Sequence, residues 1–271
     1  MRLTTLLCLG LLLTTLRPVP AQAAPLKRLL VVTVTKGFRH DTIPLAEQVL
    51  GTLGTRGGYT VDYARMDDDL TRKMSKAGLR AYDGVIFAST TGDLPLPDRQ
   101  AFLDWIKAGH AFIGIHSASD TFHGYQPYLE MLGGEFKQHG PQVAVTCQVA
   151  DKKFPATAKM GPTLEIAREE VYQFQNFEPE QVHLLLYLNQ HPNDHKAGLY
   201  PLAWCRAYGK GRVFYTALGH RQDIWEAPWY QEHLLGGILW ALGLAKGDDR
   251  PRPLPSVAQA GFPAARPKLN F

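Results

Sequence analysis

Residues Leu29 to Thr35 read Leu-Leu-Val-Val-Thr-Val-Thr, a nearly unbroken apolar run of strand length. Such a run has no side to offer to water, so it predicts a strand buried on both faces, as in a parallel sheet covered by helices. The pattern recurs at Tyr82–Ser89 and Ala111–His116, while Tyr59–Arg65 alternates as a further strand. Between them, Thr42–Arg56 and Pro97–Ala108 carry helical spacing. Asp41 or Thr42 is placed to cap the first helix and Gly57-Gly58 to end it. Strands that alternate with helices require right-handed crossovers, which makes the chain α/β with a mostly parallel sheet.

The second half changes character. Val143–Ala150, Glu170–Phe174, His183–Leu188, Leu202–Tyr208 and Arg212–Leu218 read as strands, the last two joined through Gly209-Lys210-Gly211 as a C-terminal β-hairpin. Tyr230–Leu244 reads as a closing helix with Leu234, Leu235, Ile238, Leu239 and Leu242 on one face.

Both ends fall outside this pattern. Arg2, the apolar run Leu3–Leu16 and the small residues of Ala21-Gln22-Ala23 have the layout of a cleaved signal peptide over residues 1–23. A periplasmic or secreted protein is therefore expected, with no membrane association after cleavage. The domain should span 24–246, and the Pro-rich 247–271, without apolar periodicity, should be a disordered tail. The net charge of +4 carries no concentrated basic stripe, which argues against a nucleic-acid partner. After cleavage only Cys147 and Cys205 remain. Cys147 alternates with Val143, Val145 and Val149 as a core residue, and export leaves a 147–205 disulfide open as the alternative.

Ligands of open parallel sheets bind beyond the carboxyl ends of the strands. In this chain those ends carry Phe38-Arg39-His40, Gly114-Ile115-His116-Ser117-Ala118-Ser119-Asp120 and Gly219-His220, so three histidines reach one edge. His139 can join them from a longer loop. A strand-to-helix elbow at His116 would lift its side chain above the sheet, and a following helix would direct its N–H groups at the same space. Glu169 and Glu170, as neighbours on a strand, should point to opposite faces. The acidic run Asp67-Asp68-Asp69 reads as a solvated segment entering a helix.

With these residues in place, the chain resembles the ThuA-like (trehalose-utilisation) family, whose flavodoxin-like fold is similar to that of class I glutamine amidotransferases. The resemblance runs over about 27–244. It is carried by Gly37–His40, Gly114–Asp120, Leu132-Gly133-Gly134 with His139, Glu170-Val171-Tyr172, Pro201–Trp204 and Gly209–His220. The resemblance implies carbohydrate handling, with disaccharides such as trehalose or their 3-keto forms as ligands. Amidotransferases place a nucleophilic cysteine at the elbow; this chain has His116 there, so thiol-dependent glutamine hydrolysis does not carry over.

Three functions follow. In the first, an exported enzyme acts on a glycoside or 3-keto-sugar by acid/base chemistry. His116, His220 and His40 are the catalytic residues with Asp120 orienting an imidazole, and Phe38, Arg39, Ser117, His139 and Glu170 hold substrate. In the second, His40, His116 and His220 are ligands of a divalent metal such as zinc in a hydrolase. In the third, the same edge is a non-catalytic carbohydrate-binding module, with aromatic side chains stacking on sugar faces.

Overall fold

The computed structural model describes residues 26–252 of the chain. The signal-peptide expectation and the tail beyond Arg252 lie outside these residues. A nine-stranded sheet organises the molecule. One half is parallel: β1 (Lys27–Val32), β2 (Tyr59–Ala64), β3 (Gly84–Ala88), β4 (Ala111–Ile115) and, entering late from the chain, β11 (Gly211–Thr216). In the sheet they run β2-β1-β3-β4-β11. The other half continues antiparallel through β10 (Ala197–Tyr208), β9 (His183–Gln190), β6 (Val143–Val149) and β7 (Thr163–Glu169). The sheet is therefore mixed, with its parallel half as predicted and the hairpin β10–β11 turning at Gly209-Lys210.

Alternate residues of each buried strand serve opposite cores. Leu29, Val31, Ile86 and Ile113 pack with α1 (Ile43–Gly57) on one face. Leu30, Val32, Phe87 and Phe112 pack on the other. That second face is covered by α2 (Asp67–Lys73), α3 (Lys76–Leu79), α4 (Arg99–Lys107) and α5 (Gln126–Leu132). The first is completed by α6 (Gln222–Glu226) and α7 (Pro228–Ala241). Helix ends follow local chemistry. Asp98 caps α4 by accepting from Ala101 N at 2.8 Å, and left-handed Gly58 (φ 69°) ends α1. Asp67, Asp68 and Asp69 form the first turn of α2, where negative charge suits the helix dipole.

Two expectations are corrected, and the reading of Cys147 as a core residue holds. Glu135–His139, read as loop, is β5, and it pairs antiparallel with β8 (Tyr172–Gln175) in a separate two-stranded ribbon. Glu170 does not start a strand: β7 ends at Glu169 and β8 begins at Tyr172, so Glu170-Val171 is the corner between them. A corner escapes strand alternation, and both glutamates are buried. Cys147 and Cys205 are buried and free, with no disulfide between them, and burial pushes the Cys147 thiol up to about 12. Beyond α7, Arg250 O accepts from His183 Nδ1 at 2.8 Å and Arg252 pairs with buried Asp151 at 3.0 Å, so the chain up to Arg252 is held against the body. Among the described residues no helix is long and apolar enough to cross a membrane.

Candidate functional site

His116 is the first residue after β4 and has φ 53°, a left-handed conformation rare for a side chain with a Cβ. The surroundings hold it there. Tyr215 Oη donates to His116 O at 2.7 Å, Ser119 Oγ donates to Tyr215 Oη at 2.8 Å, and Tyr128 Oη donates to Ala118 O at 2.8 Å. Gly114 is required beneath the elbow, because a Cβ there would lie 2.9 Å from Tyr215 and 3.2 Å from Leu132. The segment that follows, His116–Asp120, is a short 3₁₀ segment rather than the α-helix expected, so it does not supply the helix dipole expected there.

His220 is delivered by Gly219, whose φ of 117° and whose approach to Tyr230 exclude a side chain; a Cβ would stand 2.5 Å from Tyr230 Oη. The segment is fastened from below: Trp225 Nε1 donates to Gly219 O and Tyr230 Oη to Leu218 O, both at 2.7 Å. His40 arrives from the β1–α1 connection, and Glu170 from the β7–β8 corner.

These four side chains meet. His116 Nε2 is 3.0 Å from His40 Nε2, 3.3 Å from His220 Nδ1 and 3.7 Å from Glu170 Oε2. Glu170 Oε2 is also 3.3 Å from His220 Nδ1. One donor atom from each of the four lies within 4.8 Å of all the others. His116 Nδ1 donates to Ala217 O at 2.8 Å, which assigns the proton of the neutral ring to Nδ1 and leaves the Nε2 lone pair facing the centre. Burial, and then the neighbouring His40, hold His116 well below its usual pKa. Burial, and then His220, bring His40 down to about 4. His220 moves the other way, raised by its hydrogen bond to Glu170. Glu169 lies behind the corner: its Oε1 accepts from Glu170 N at 2.8 Å, and burial raises its carboxyl to about 7.

The remaining sequence candidates divide. His139 Nδ1, between Glu170 Oε1 at 3.2 Å and Gly140 O at 3.0 Å, supports the cluster from its half-open side. Phe38 is exposed and sets its ring edge-on to His40, with centroids 4.8 Å apart. Asp120 orients an imidazole, but that of His123, whose Nδ1 in turn meets buried Glu135 at 3.0 Å. Arg39 donates from Nη1 to Thr33 O at 2.9 Å, and buried Ser117 Oγ has no hydrogen-bond partner among the described residues. Among the described residues neither makes a hydrogen bond or ion pair to the four cluster residues.

Tyr172 was missed as a functional residue: its hydroxyl is 2.9 Å from His116 Nε2. Its place beside Glu170 in the sequence was visible, but only the corner between β7 and β8 brings both to the centre. Because that hydroxyl and a divalent cation would compete for the same Nε2 lone pair, Tyr172→Phe should tighten binding of such a cation several-fold, about the worth of one hydrogen bond. Competition against a chromogenic chelator measures it, and an unchanged affinity would make the hydroxyl a bystander.

The family model described as trehalose utilisation matches residues 28–241. Among solved structures, a ThuA-like protein from Parabacteroides merdae superposes with a TM-score of 0.65 at 19% identity, covering 81% of this chain and 90% of its own. A ThuA-like protein from Bacteroides uniformis gives 0.61 at 21% identity, covering 83% and 95%. A cytoplasmic protein from Salmonella typhimurium gives 0.53 at 16%, covering 81% and 98%. At these identities the structures speak to fold. No curated protein sequence matches the chain. The family match spans nearly the whole described domain, and by it this chain belongs to the ThuA (trehalose utilisation) family.

Proposed function

We propose that the protein is an exported carbohydrate-processing enzyme whose reaction centre is a divalent metal held by His40, His116, His220 and Glu170. The observation that carries this reading is the spacing of their donor atoms. Ligands ~2.0–2.1 Å from a tetrahedral zinc stand ~3.3–3.4 Å from one another. Four of the six separations among these donor atoms run from 3.0 to 3.7 Å, and all six lie within 4.8 Å. The donor chemistry agrees: two imidazoles are kept neutral by burial, and a carboxylate balances part of the metal charge.

The alternative that made His116 a free acid or base is disfavoured by its surroundings. Its ring is wholly buried, its Nδ1 is committed to Ala217 O, and three polar groups crowd its Nε2. Proton transfer to a sugar falls instead to the more open His139, which contacts Glu170 and is not among the four ligands. A divalent ion held by these side chains would supply Lewis-acid polarisation of a sugar carbonyl or hydroxyl oxygen through a coordination position beyond the four protein ligands. The substrate class, a glycoside or 3-keto-sugar, rests on membership of the family, and export rests on the Ala21-Gln22-Ala23 leader.

Metal content decides the reading. Protein purified without chelator and then dialysed against zinc should retain one equivalent per chain by elemental analysis. Treatment with a chelator should abolish turnover of the family's disaccharides, and zinc should restore it. A protein that retains no divalent ion, or that turns over equally well without one, would overturn the proposal.

A further inference from the structure

His220 belongs to the cluster and also lines a groove of about 550 Å3, inside the ~300–1,000 Å3 range of small-ligand sites. The rest of its wall is Asp41, Gln142, Arg221, Gln222, Asp223 and Glu226, with no apolar side chain among them. The single guanidinium is already matched: Arg221 Nε and Nη2 donate to the two carboxylate oxygens of Asp223 at 2.9 and 3.1 Å. Arg221 Nη1 donates to Gln142 Oε1 at 3.1 Å, which fixes the amide of Gln142 and leaves its NH₂ group as donor. The Asp41 carboxylate makes no hydrogen bond among the described residues, although it adjoins His40 in the chain and faces His40 and His220 electrostatically.

We propose that this groove is the subsite for an uncharged, polyhydroxylated ligand, and that it selects neutral sugars against phosphorylated or carboxylated ones. The inference rests on the carbohydrate reading above and adds to it where the sugar lies and what it cannot carry. With Arg221 and Asp223 neutralising each other, the two remaining carboxylates, Asp41 and Glu226, repel an anion, while the free Asp41 carboxylate and the oriented Gln142 amide accept from and donate to adjacent hydroxyls. The lysines that would welcome a phosphate, Lys137 and Lys196, line a different groove of about 280 Å3, which contains none of the four cluster residues and meets the site through Tyr172. Because His220 is shared, a sugar oxygen seated beside it is presented to the cluster.

Calorimetric titration of the full chain, with and without zinc, against trehalose and trehalose 6-phosphate tests the assignment. Trehalose should bind, and its phosphate ester should bind at least ~10-fold more weakly at low salt. Asp41→Asn and Gln142→Ala should each weaken trehalose binding about 10- to 100-fold, the cost of losing a charge-assisted or well-oriented hydrogen bond, without changing zinc content. Glu226→Lys should narrow the gap between the two sugars. Equal or tighter binding of the phosphate ester overturns the inference. So does wild-type affinity in both weakening variants, or a zinc-loaded protein that binds neither sugar. Zinc content, read separately, reports on the metal reading alone: sugar bound by a protein that holds no zinc would overturn the metal and leave the subsite.

Discussion

His116→Ala is expected to remove zinc binding and to lower turnover of a carbohydrate substrate by ~10³-fold or more, while the domain stays folded. His116 is the hub of the site, since its Nε2 meets His40, His220, Glu170 and Tyr172. The activity figure follows from the several kcal/mol of charge stabilisation that a bound metal supplies, at ~1.4 kcal/mol per tenfold. The fold should survive because the elbow is held by bonds to backbone oxygens from Tyr215 and Tyr128 rather than by the imidazole alone. Thermal unfolding gives a second readout. Zinc at 1,000 times its Kd should stabilise the wild type by about 4 kcal/mol and the variant by nothing measurable. A variant that keeps its zinc, or that unfolds before it can be assayed while His116→Gln retains both fold and metal-free activity, would remove His116 from the centre.

Trp204→Ala is expected to cost ~3–5 kcal/mol of stability, the range for truncating a large buried aromatic, out of a total of ~5–15 kcal/mol for a typical domain. Trp204 is wholly buried, its ring lies 4.4 Å from that of Tyr215, 5.0 Å from Phe177 and 5.2 Å from Phe174, and its Nε1 donates to Leu132 O at 2.8 Å. Alanine leaves a cavity and an unpaired buried carbonyl together. Because Phe174 belongs to β8 and Tyr215 holds the His116 elbow, the damage should reach the site as well, as a weaker zinc affinity in the protein that remains folded. Urea unfolding measures the first effect and chelator competition the second. A loss under about 1 kcal/mol would show that this aromatic group repacks around the gap.

The parallel half of the sheet was legible because burial on both faces demands apolar residues at every position, as in Leu29–Val32 and Val85–Ala88. The same logic located His40, His116 and His220, since a polar residue directly after a buried strand marks the edge where loops converge. Only half of the β5–β8 ribbon was legible: Tyr172–Gln175 alternates aromatic and glutamine side chains and was read as part of a strand, whereas in Glu135–His139 the register shift between Phe136 and Gln138 breaks the alternation. Strand alternation set Glu169 and Glu170 on opposite faces, a rule that does not hold at the corner where Glu170 sits.

What the chain alone determined is the α/β class, the strands of the parallel half and the identity of the three histidines at its edge, since these follow from local apolar pattern and position. What only the tertiary structure decided is that these rings share one centre with Glu170, that Tyr172 caps it and that Asp120 serves His123 instead. The physical reason is separation: His40, His116, Glu170 and His220 are brought within 4.8 Å by the order in which distant strands pair, and no local pattern encodes that order.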